Sequence, residues 1–124
     1  MTPPSVLVVE DDDDIRASLL EFLDDHGYRA RGAANGREGL SLLVEGARPC
    51  VIILDLMMPV MDGWAFRAAQ RRLPDLSGVP VVVISAYDGL DRRVQGLDVA
   101  GCLAKPIDLE ALLGVVRVHC GTPG

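Results

Sequence analysis

Short apolar runs alternate along the 124-residue chain with segments in which apolar residues recur at helical spacing. This alternation is typical of a parallel β-sheet with helices packed on both of its faces. The predicted strands are Val6–Val9, Tyr28–Gly32, Cys50–Leu54, Val79–Ile84 and Cys102–Ala104. We therefore expect a doubly wound α/β fold of five strands and five helices, forming one domain over residues 1–124 with flexible ends at 1–4 and 121–124.

The composition of two runs predicts where their strands lie in the sheet. Cys50–Leu54 is apolar throughout, as expected of a strand buried on both faces at the centre of a parallel sheet. Arg29 and Arg31 interrupt the second run, so one face of that strand meets water. The second strand is therefore predicted at an edge.

Capping residues and periodicity predict the helices. Asn35 and Asp108 precede helical segments and are predicted N-caps, and Asp12 or Asp13 is predicted to cap the first helix. The apolar positions of a short fourth helix are Leu90, Val94 and Leu97. Nothing between these elements resembles a linker, a repeat or a low-complexity segment, which supports the prediction of a single domain.

The charge balance narrows the classes of partner. The chain has a formal net charge of −6 and a pI near 4.7, whereas domains that bind nucleic acid normally present a clustered basic face. Its apolar runs are all far shorter than the ~20 residues that a membrane helix needs. We therefore expect a cytoplasmic domain that binds neither nucleic acid nor a membrane directly and that favours basic partners or metal ions.

The cysteine pattern bears on the redox environment. Cys50, Cys102 and Cys120 form no CxxC pair, and no histidine lies at zinc-site spacing from them. An odd number of cysteines without such spacing is typical of reduced thiols in a cytosolic protein. All three are therefore expected to be reduced.

Polar residues stand at the ends of four of the five predicted strands. They are Glu10 and Asp11 after the first strand, Asp55 after the third, Ser85 after the fourth and Lys105 after the fifth. In open parallel sheets, ligands collect beyond the carboxyl ends of the strands. Three carboxylates, one hydroxyl and one ammonium are thus predicted to meet at one end of the sheet.

Each of these residues also has an ordinary structural explanation. The acidic run from Glu10 to Asp14 resembles the first turn of a helix, where the helix dipole stabilises negative charge. Asp55 could cap a helix or sit in a turn, Lys105 could be a surface lysine, and Ser85 could be a turn hydroxyl. Their convergence from four segments favours one shared site over four separate explanations.

The predicted carboxylate cluster calls for a cation. Two carboxylates about 5 Å apart repel by roughly 3 kcal/mol at an effective dielectric constant of about 20, and one lysine cannot offset three such pairs. Mg²⁺ accepts carboxylate, water and phosphate oxygens, and Mn²⁺ is a substitute. A carboxylate such as Asp55 can also attack phosphorus, giving an acyl phosphate whose charge a metal and a lysine neutralise. The pattern predicts a site for a metal ion and an anion together.

The sequence closely resembles the receiver domains of bacterial two-component response regulators over essentially its whole length. The matching stretches, in the family's order, are VLVVEDDDDIR, VIILDLMMPVMDG, VVVISA and AKP. The resemblance implies a flavodoxin-like fold, similar to that of chemotaxis regulators, with strand order 2-1-3-4-5. It also implies a signalling function in which phosphorylation changes a surface that binds an effector protein or domain.

The resemblance further implies the partners and the metal ligands. Asp55 would receive a phosphoryl group from a sensor histidine kinase or a histidine phosphotransfer protein. Asp11, Asp55 and the backbone carbonyl of Met57 would hold Mg²⁺, with Glu10 acting through a bound water molecule.

Two residues are implied to bind the phosphoryl group itself. Lys105, held by a cis peptide bond to Pro106, would pair with a phosphoryl oxygen, and Ser85 would hydrogen-bond the group and move when it arrives. The domain would thus be a regulatory switch rather than an enzyme. Its only reactions would be Mg²⁺-dependent self-phosphorylation and self-dephosphorylation at Asp55.

One position departs from the family pattern, and two bulky residues bear on hydrolysis. An aromatic residue normally stands three residues before the active-site lysine, where this chain has Cys102. The usual output surface, formed by the fourth helix, the last strand and the last helix, is therefore expected to lack the aromatic part of its relay. Met57 and Tyr87 are bulky where relatives have side chains that screen or orient attacking water. Hydrolysis of the phosphorylated state is therefore expected to be slow.

Two other functions fit the sequence less well. An aspartyl phosphatase or phosphotransferase commonly needs a second acid/base carboxylate just after its nucleophile, where this chain has Leu56 and Met57. A degenerate receiver would serve only as a docking module, which the intact set of strand-end residues argues against. The sequence leaves open whether the domain stands alone or regulates an attached effector, and whether it forms a homodimer.

Overall fold

The computed structural model describes residues 4–85 and 99–123, and its strands form one five-stranded sheet. The strands are β1 Ser5–Val9, β2 Arg29–Ala33, β3 Val51–Asp55, β4 Val81–Ser85 and β5 Gly101–Ala104. Every neighbouring pair is parallel, and the order across the sheet is β2-β1-β3-β4-β5. The predicted doubly wound α/β fold and its 2-1-3-4-5 order are confirmed, with β2 at an edge and the fully buried β3 at the centre.

Helices cover both faces of this sheet. Those in the described residues are α1 Asp13–Asp25, α2 Gly36–Val44, α3 Gly63–Arg71 and α4 Leu109–Cys120. Alternate residues of a strand point to opposite faces, so Val6 and Val8 pack with α1 and α4, whereas Leu7 and Val9 pack with α2 and α3. The helix predicted around residues 90–97 lies outside the described residues. Every helix that the structure describes is too short or too polar to cross a membrane.

Each described helix begins after a capping side chain whose oxygen accepts hydrogen bonds from backbone N–H groups of the first turn. The capping residues are Asp12, Asn35, Asp62 and Asp108. Such caps satisfy donors that have no partner within the helix. The predicted caps Asn35 and Asp108 are confirmed, and the first helix is capped by Asp12 rather than Asp13.

Strand boundaries differ from the prediction by one or two residues. β2 and β3 each begin one residue later than expected. β4 begins at Val81 rather than Val79, and the Val79 carbonyl accepts a hydrogen bond of 3.1 Å from the Gln70 side chain. β3 and β4 also end one residue later than expected, so Asp55 and Ser85 are the last residues of their strands rather than the residues that follow.

The expectation that all three cysteines are reduced thiols is wrong for two of them. Cys50, just before β3, and Cys120, at the end of α4, form a disulfide with their Cα atoms 5.4 Å apart. They are separated by 70 residues in sequence, so only the packing of α4 against the sheet brings them within disulfide range. Close by, the Tyr28 hydroxyl donates a 2.6 Å hydrogen bond to the Gly121 carbonyl. The end of α4 is therefore tied to the amino end of the sheet.

Candidate functional site

Three carboxylates meet at the carboxyl end of the sheet. Glu10 and Asp11 follow β1, and Asp55 ends the neighbouring strand β3. One oxygen from each carboxylate lies within 4.8 Å of the others. Glu10 and Asp55 are 0% and 2% exposed, whereas Asp11 is exposed at the rim. The structure thus brings together the three acidic residues that the sequence predicts at this end.

Lys105 reaches this carboxylate cluster from the loop between β5 and α4. Its Nζ donates to Glu10 Oε1 at 2.6 Å and to Asp55 Oδ2 at 3.3 Å. Its peptide bond to Pro106 is cis, and its backbone N–H donates to the Ser85 carbonyl at 3.0 Å. One ammonium therefore bridges two buried carboxylates, and the shorter contact is with Glu10.

The pKa values of the cluster reflect the burial of like charges. Burial, together with the neighbouring carboxyl of Asp55 and against the opposing effect of Lys105, raises the pKa of Glu10 to about 8. Desolvation and then Asp55 also raise the pKa of Asp11 above its ordinary value. Burial acts to lower the pKa of Lys105, but its contacts with Glu10 and Asp55 outweigh that effect and raise it above 10.5. The cluster therefore favours an additional positive charge, either a proton or a cation.

One oxygen of the Glu10 carboxyl has room for that additional charge. Within the described residues, Glu10 Oε2 is the single buried side-chain oxygen or nitrogen that lacks a hydrogen-bond partner. A buried carboxylate oxygen is costly unless something compensates its charge. Hard divalent cations prefer carboxylate oxygens as ligands. Three carboxylates with oxygens within 4.8 Å of one another, of which only two contact the Lys105 ammonium, therefore fit a divalent cation.

The backbone around Asp55 holds its carboxyl group at the carboxyl end of the sheet. Asp55 Oδ1 accepts a hydrogen bond of 3.2 Å from the Met57 N–H. The Gly63 N–H donates to the Leu56 carbonyl at 3.0 Å, which brings the start of α3 against the end of β3. A Cβ at Gly63 would lie 2.8 Å from the Asp55 carbonyl oxygen. Gly63 therefore permits an approach that a larger residue would block.

A strained turn lies in the loop between Asp55 and α3. Val60 has a φ of 70°, and the Met61 N–H donates to the Pro59 carbonyl at 2.8 Å across it. Three-residue turns with this sign of φ are rare, and a β-branched residue is especially disfavoured there. Backbone strain of this kind concentrates near functional sites.

Ser85 and Met57 lie at the same end of the sheet. Ser85 is 1% exposed and ends β4, the strand that pairs with β3. Met57 is 56% exposed, two residues beyond Asp55 in the chain. Tyr87, the other bulky residue noted in the sequence, lies outside the described residues.

Arg16 supports the site from α1, a role that its position in the sequence does not reveal. Its Nη1 donates to the Glu10 carbonyl at 2.9 Å, and its Nη2 contacts Asp13 Oδ1 at 2.6 Å. Arg16 thereby fixes the backbone that presents Glu10. A basic residue in the first turns of the helix, just after the acidic run, is the only sequence signal for this role.

Comparison with known proteins extends over nearly the whole chain. Residues 6–117 match the family model described as the response regulator receiver domain. The response regulator MprA of Mycolicibacterium vanbaalenii is 41% identical over 118 residues, which cover 93% of this chain and 49% of that protein. The transcriptional regulatory protein PrrA of Mycobacterium tuberculosis is 42% identical over 120 residues, which cover 94% and 50%. The chain thus spans about half the length of these curated relatives.

Solved structures show the same fold. The chemotaxis response regulator CheY4 of Vibrio cholerae has a TM-score of 0.84 at 34% identity, covering 94% of this chain and 98% of that one. A response regulator receiver protein from Pseudomonas putida has a TM-score of 0.87 at 29% identity, covering 95% and 98%. The sequence match and the shared fold therefore extend over the same residues.

Proposed function

Because the chain belongs to the response regulator receiver domain family, we propose that it is a phosphoacceptor switch with Asp55 as its phosphorylation site. Receiver domains are regulatory components of two-component signalling. The observation that carries the proposal is the meeting of Asp55 with two further carboxylates and the Lys105 ammonium at the end of the central strand.

In the proposed reaction, a carboxylate oxygen of Asp55 attacks the phosphorus of a phosphohistidine on a sensor kinase or phosphotransfer protein. An O–P bond forms and the P–N bond breaks, with its electron pair leaving on the imidazole nitrogen of the donor. The Met57 N–H and the Lys105 ammonium both contact the Asp55 carboxyl and hold it in place. Such positioning is a large part of catalysis in phosphoryl transfer.

The proposed cofactor is Mg²⁺, with Mn²⁺ as a substitute. Asp11, Asp55 and the backbone carbonyl of Met57 would hold it, and Glu10 would contribute through a bound water molecule. When bound, the cation neutralises charge that develops on the transferring phosphoryl group. The unpartnered Oε2 of Glu10 and the raised pKa of this carboxyl support a cation at this place.

Lys105 and Ser85 are proposed to bind the phosphoryl group after transfer. The Lys105 ammonium lies 3.3 Å from Asp55 Oδ2, so it can exchange this contact for a phosphoryl oxygen with little movement. The Ser85 hydroxyl would donate to a second oxygen from the end of the adjacent strand. A displacement of Ser85 would then change the protein surface around β4 and β5. The charge added by the phosphoryl group would in this way alter a surface that a partner can recognise.

The effector class that the relatives favour is transcriptional. PrrA is named a transcriptional regulatory protein, and the chain spans about half of its length. We propose that the phosphorylated domain controls such an effector, whether attached to it or separate. With a net charge of −6, this domain is not proposed to bind nucleic acid itself.

Intact-mass spectrometry after incubation with acetyl phosphate and Mg²⁺ tests the proposal. We expect a gain of about 80 Da that requires both the metal and Asp55, since phosphorylation adds one phosphoryl group. Asp55→Asn should abolish the gain. Asp62→Asn is the matched control, because it alters a carboxylate of the same loop while keeping a side chain that caps α3.

Two outcomes contradict the proposal. A mass gain that persists in Asp55→Asn would place the modification elsewhere. Absence of labelling both with acetyl phosphate and with a phosphohistidine protein donor would leave the domain as a docking module without phosphoacceptor chemistry.

A further inference from the structure

A basic cavity of about 640 Å³ lies at the amino end of the sheet, opposite the carboxylate cluster. Its charged lining residues are Arg29, Arg31, Arg48 and Glu45. The rest of the lining includes Pro4, Leu42, Ala47 and Cys50. The volume falls within the range of about 300–1,000 Å³ that is typical of small-molecule sites.

Two of the guanidinium groups come from the edge strand β2. Arg29 and Arg31 are paired with Ser5 and Leu7 of β1, and residues two apart in a strand project from the same face. Both arginines are exposed. Neither forms an ion pair with any carboxylate in the described part of the chain.

The third guanidinium is fixed on the other side of the cavity. Arg48 Nη1 donates to the Leu43 carbonyl at 3.0 Å and to the Ala47 carbonyl at 2.9 Å. It therefore caps the C-terminal end of α2. A guanidinium has five N–H donors, so others of Arg48 remain available after these two bonds. Arg48 therefore offers donors from a position that the backbone of α2 determines.

The charge of this cavity is opposite to that of the whole chain. Three arginines face a single carboxylate, that of Glu45, in a protein with a net charge of −6. Guanidinium groups match carboxylate and phosphate oxygens with two parallel hydrogen bonds. An anion with one acidic group can bind the paired N–H donors of one guanidinium. Arginines on two walls of the cavity suit an anion with several acidic groups.

We propose that this cavity binds a small molecule carrying two or more phosphate or carboxylate groups. The site is separate from the carboxylate cluster, because Val51 and Asp55 at the two ends of β3 lie about 13 Å apart along the strand. An anion there would add negative charge beside Arg29 and Arg31, which form no ion pair within the described residues. It would bind without displacing any ion pair seen in the described residues.

Isothermal titration calorimetry in metal-free buffer tests the site, with inorganic tripolyphosphate, citrate and inorganic phosphate as probes. Omitting metal prevents the anions from bridging to the carboxylate cluster through a cation. We expect saturable binding of tripolyphosphate or citrate that weakens as salt is added, and weaker binding of phosphate by about tenfold or more. The polyanion that binds with the higher affinity shows whether the cavity prefers phosphate or carboxylate groups.

Arginine variants locate the binding. Arg29→Gln/Arg31→Gln should weaken the polyanion by about tenfold or more, whereas Arg37→Gln, at an exposed position of α2 outside the cavity, should leave it unchanged. On addition of the polyanion, the backbone amide resonances of Arg31 and Cys50 should shift in ¹⁵N spectra, whereas that of Asp55 should not.

Equal affinity in the double variant and the wild type would overturn the proposal. So would binding of an oligoglutamate peptide without binding of either small polyanion, since that points to an acidic protein partner.

Discussion

The two ends of the sheet carry opposite charge and hold it in different ways. At the carboxyl end, Glu10 and Asp55 are buried and share Lys105 through contacts of 2.6 and 3.3 Å. At the amino end, Arg29 and Arg31 are exposed and have no ion-pair partner in the part of the chain that the structure describes. Buried charges shift each other's pKa values, whereas exposed charges are screened by water and salt. The carboxyl end is therefore sensitive to protons and cations, and the amino end to the salt concentration.

The amino end also carries the contacts that tie the end of α4 to the sheet. The Cys50–Cys120 disulfide and the bond from the Tyr28 hydroxyl to the Gly121 carbonyl both join the end of α4 to the sheet there. The carboxyl end holds a strained turn at Val60 and an unpartnered carboxylate oxygen instead. The difference teaches that a parallel sheet can keep its reactive groups at one end while the other end supplies cross-links that stabilise it.

Removing the disulfide tests whether the amino end supplies stability without taking part in the chemistry. For Cys50→Ser/Cys120→Ser we expect the free energy of unfolding to fall by about 4 kcal/mol, because a closed loop spanning 70 residues no longer restricts the unfolded chain. Urea denaturation measures the change, with Cys102→Ser as the control. Phosphorylation of Asp55 should persist in the folded variant. An unchanged urea midpoint, or loss of phosphorylation while folded, would break the contrast between the two ends.

A change of pH should act on the carboxyl end. The pKa of Glu10 is about 8 in the folded protein against an ordinary value of 4.5, so in metal-free buffer the folded state keeps a proton that the unfolded chain releases. This contribution to stability is fully present below pH ~4.5 and is lost as the pH rises towards about 8, by at most about 1.4 kcal/mol per pH unit. Urea midpoints across this range measure the slope.

Two variants assign that slope to one end of the sheet. Glu10→Gln cannot titrate and should flatten the pH dependence, whereas Arg29→Gln should leave it as in the wild type. A slope that survives in Glu10→Gln would show that another group is responsible.

Replacing Val60 tests whether backbone strain at the carboxyl end of the sheet lowers the stability of the protein. Val60→Gly should raise the free energy of unfolding by about 1 kcal/mol, because glycine adopts a φ of 70° without the steric cost that valine bears. Val118→Gly, at an exposed position within α4, should lower it instead, because glycine is unfavourable inside a helix. Thermal or urea denaturation distinguishes the two signs. A destabilised Val60→Gly variant would mean that the valine side chain supports the loop.

The smallest expected effect concerns the lifetime of the phosphorylated state. Met57 is 56% exposed beside Asp55, where its apolar side chain can shield the acyl phosphate from water. Met57→Asn should shorten the half-life of the phosphorylated protein severalfold, because the amide can orient an attacking water molecule. Mass spectrometry after removal of the phosphoryl donor follows the decay, with Val60→Gly as a second variant of the same loop. Unchanged decay would remove Met57 from the control of hydrolysis.

The fold is predictable from the sequence because burial leaves a periodic pattern. The uninterrupted apolar run of β3 indicates the central strand, and Arg29 and Arg31 indicate the edge strand β2. The caps Asn35 and Asp108 are equally local signals. The start of β4 is less predictable: the Val79 carbonyl bonds the side chain of Gln70 in α3, a contact that the local pattern of apolar residues does not indicate.

The residues that form the carboxylate cluster can be predicted from the sequence, whereas the contacts among them are harder to predict. The carboxyl ends of parallel strands lie at the same end of the sheet, and the strand order 2-1-3-4-5 that the family resemblance implies makes β1 and β3 neighbours, which places Glu10 near Asp55. The 2.6 Å contact between Lys105 and Glu10 joins residues 95 positions apart, and its preference over Asp55 depends on the path of one loop. The pairing of Cys50 with Cys120 is hidden for the same reason, since it requires the packed position of α4.

A pulling force on the two termini would load this domain very unevenly. The Cys50–Cys120 disulfide closes the intervening chain into a covalent ring, so tension passes through the bridge and bypasses β3, β4 and β5. Roughly 240 Å of extended chain would stay hidden from the force, at about 3.5 Å for each of the 70 residues. Asp55 and Lys105 lie inside the ring, whereas Glu10 lies outside it. Tension would therefore peel β1 and its carboxylate away from the site before it could extend the strand that carries Asp55.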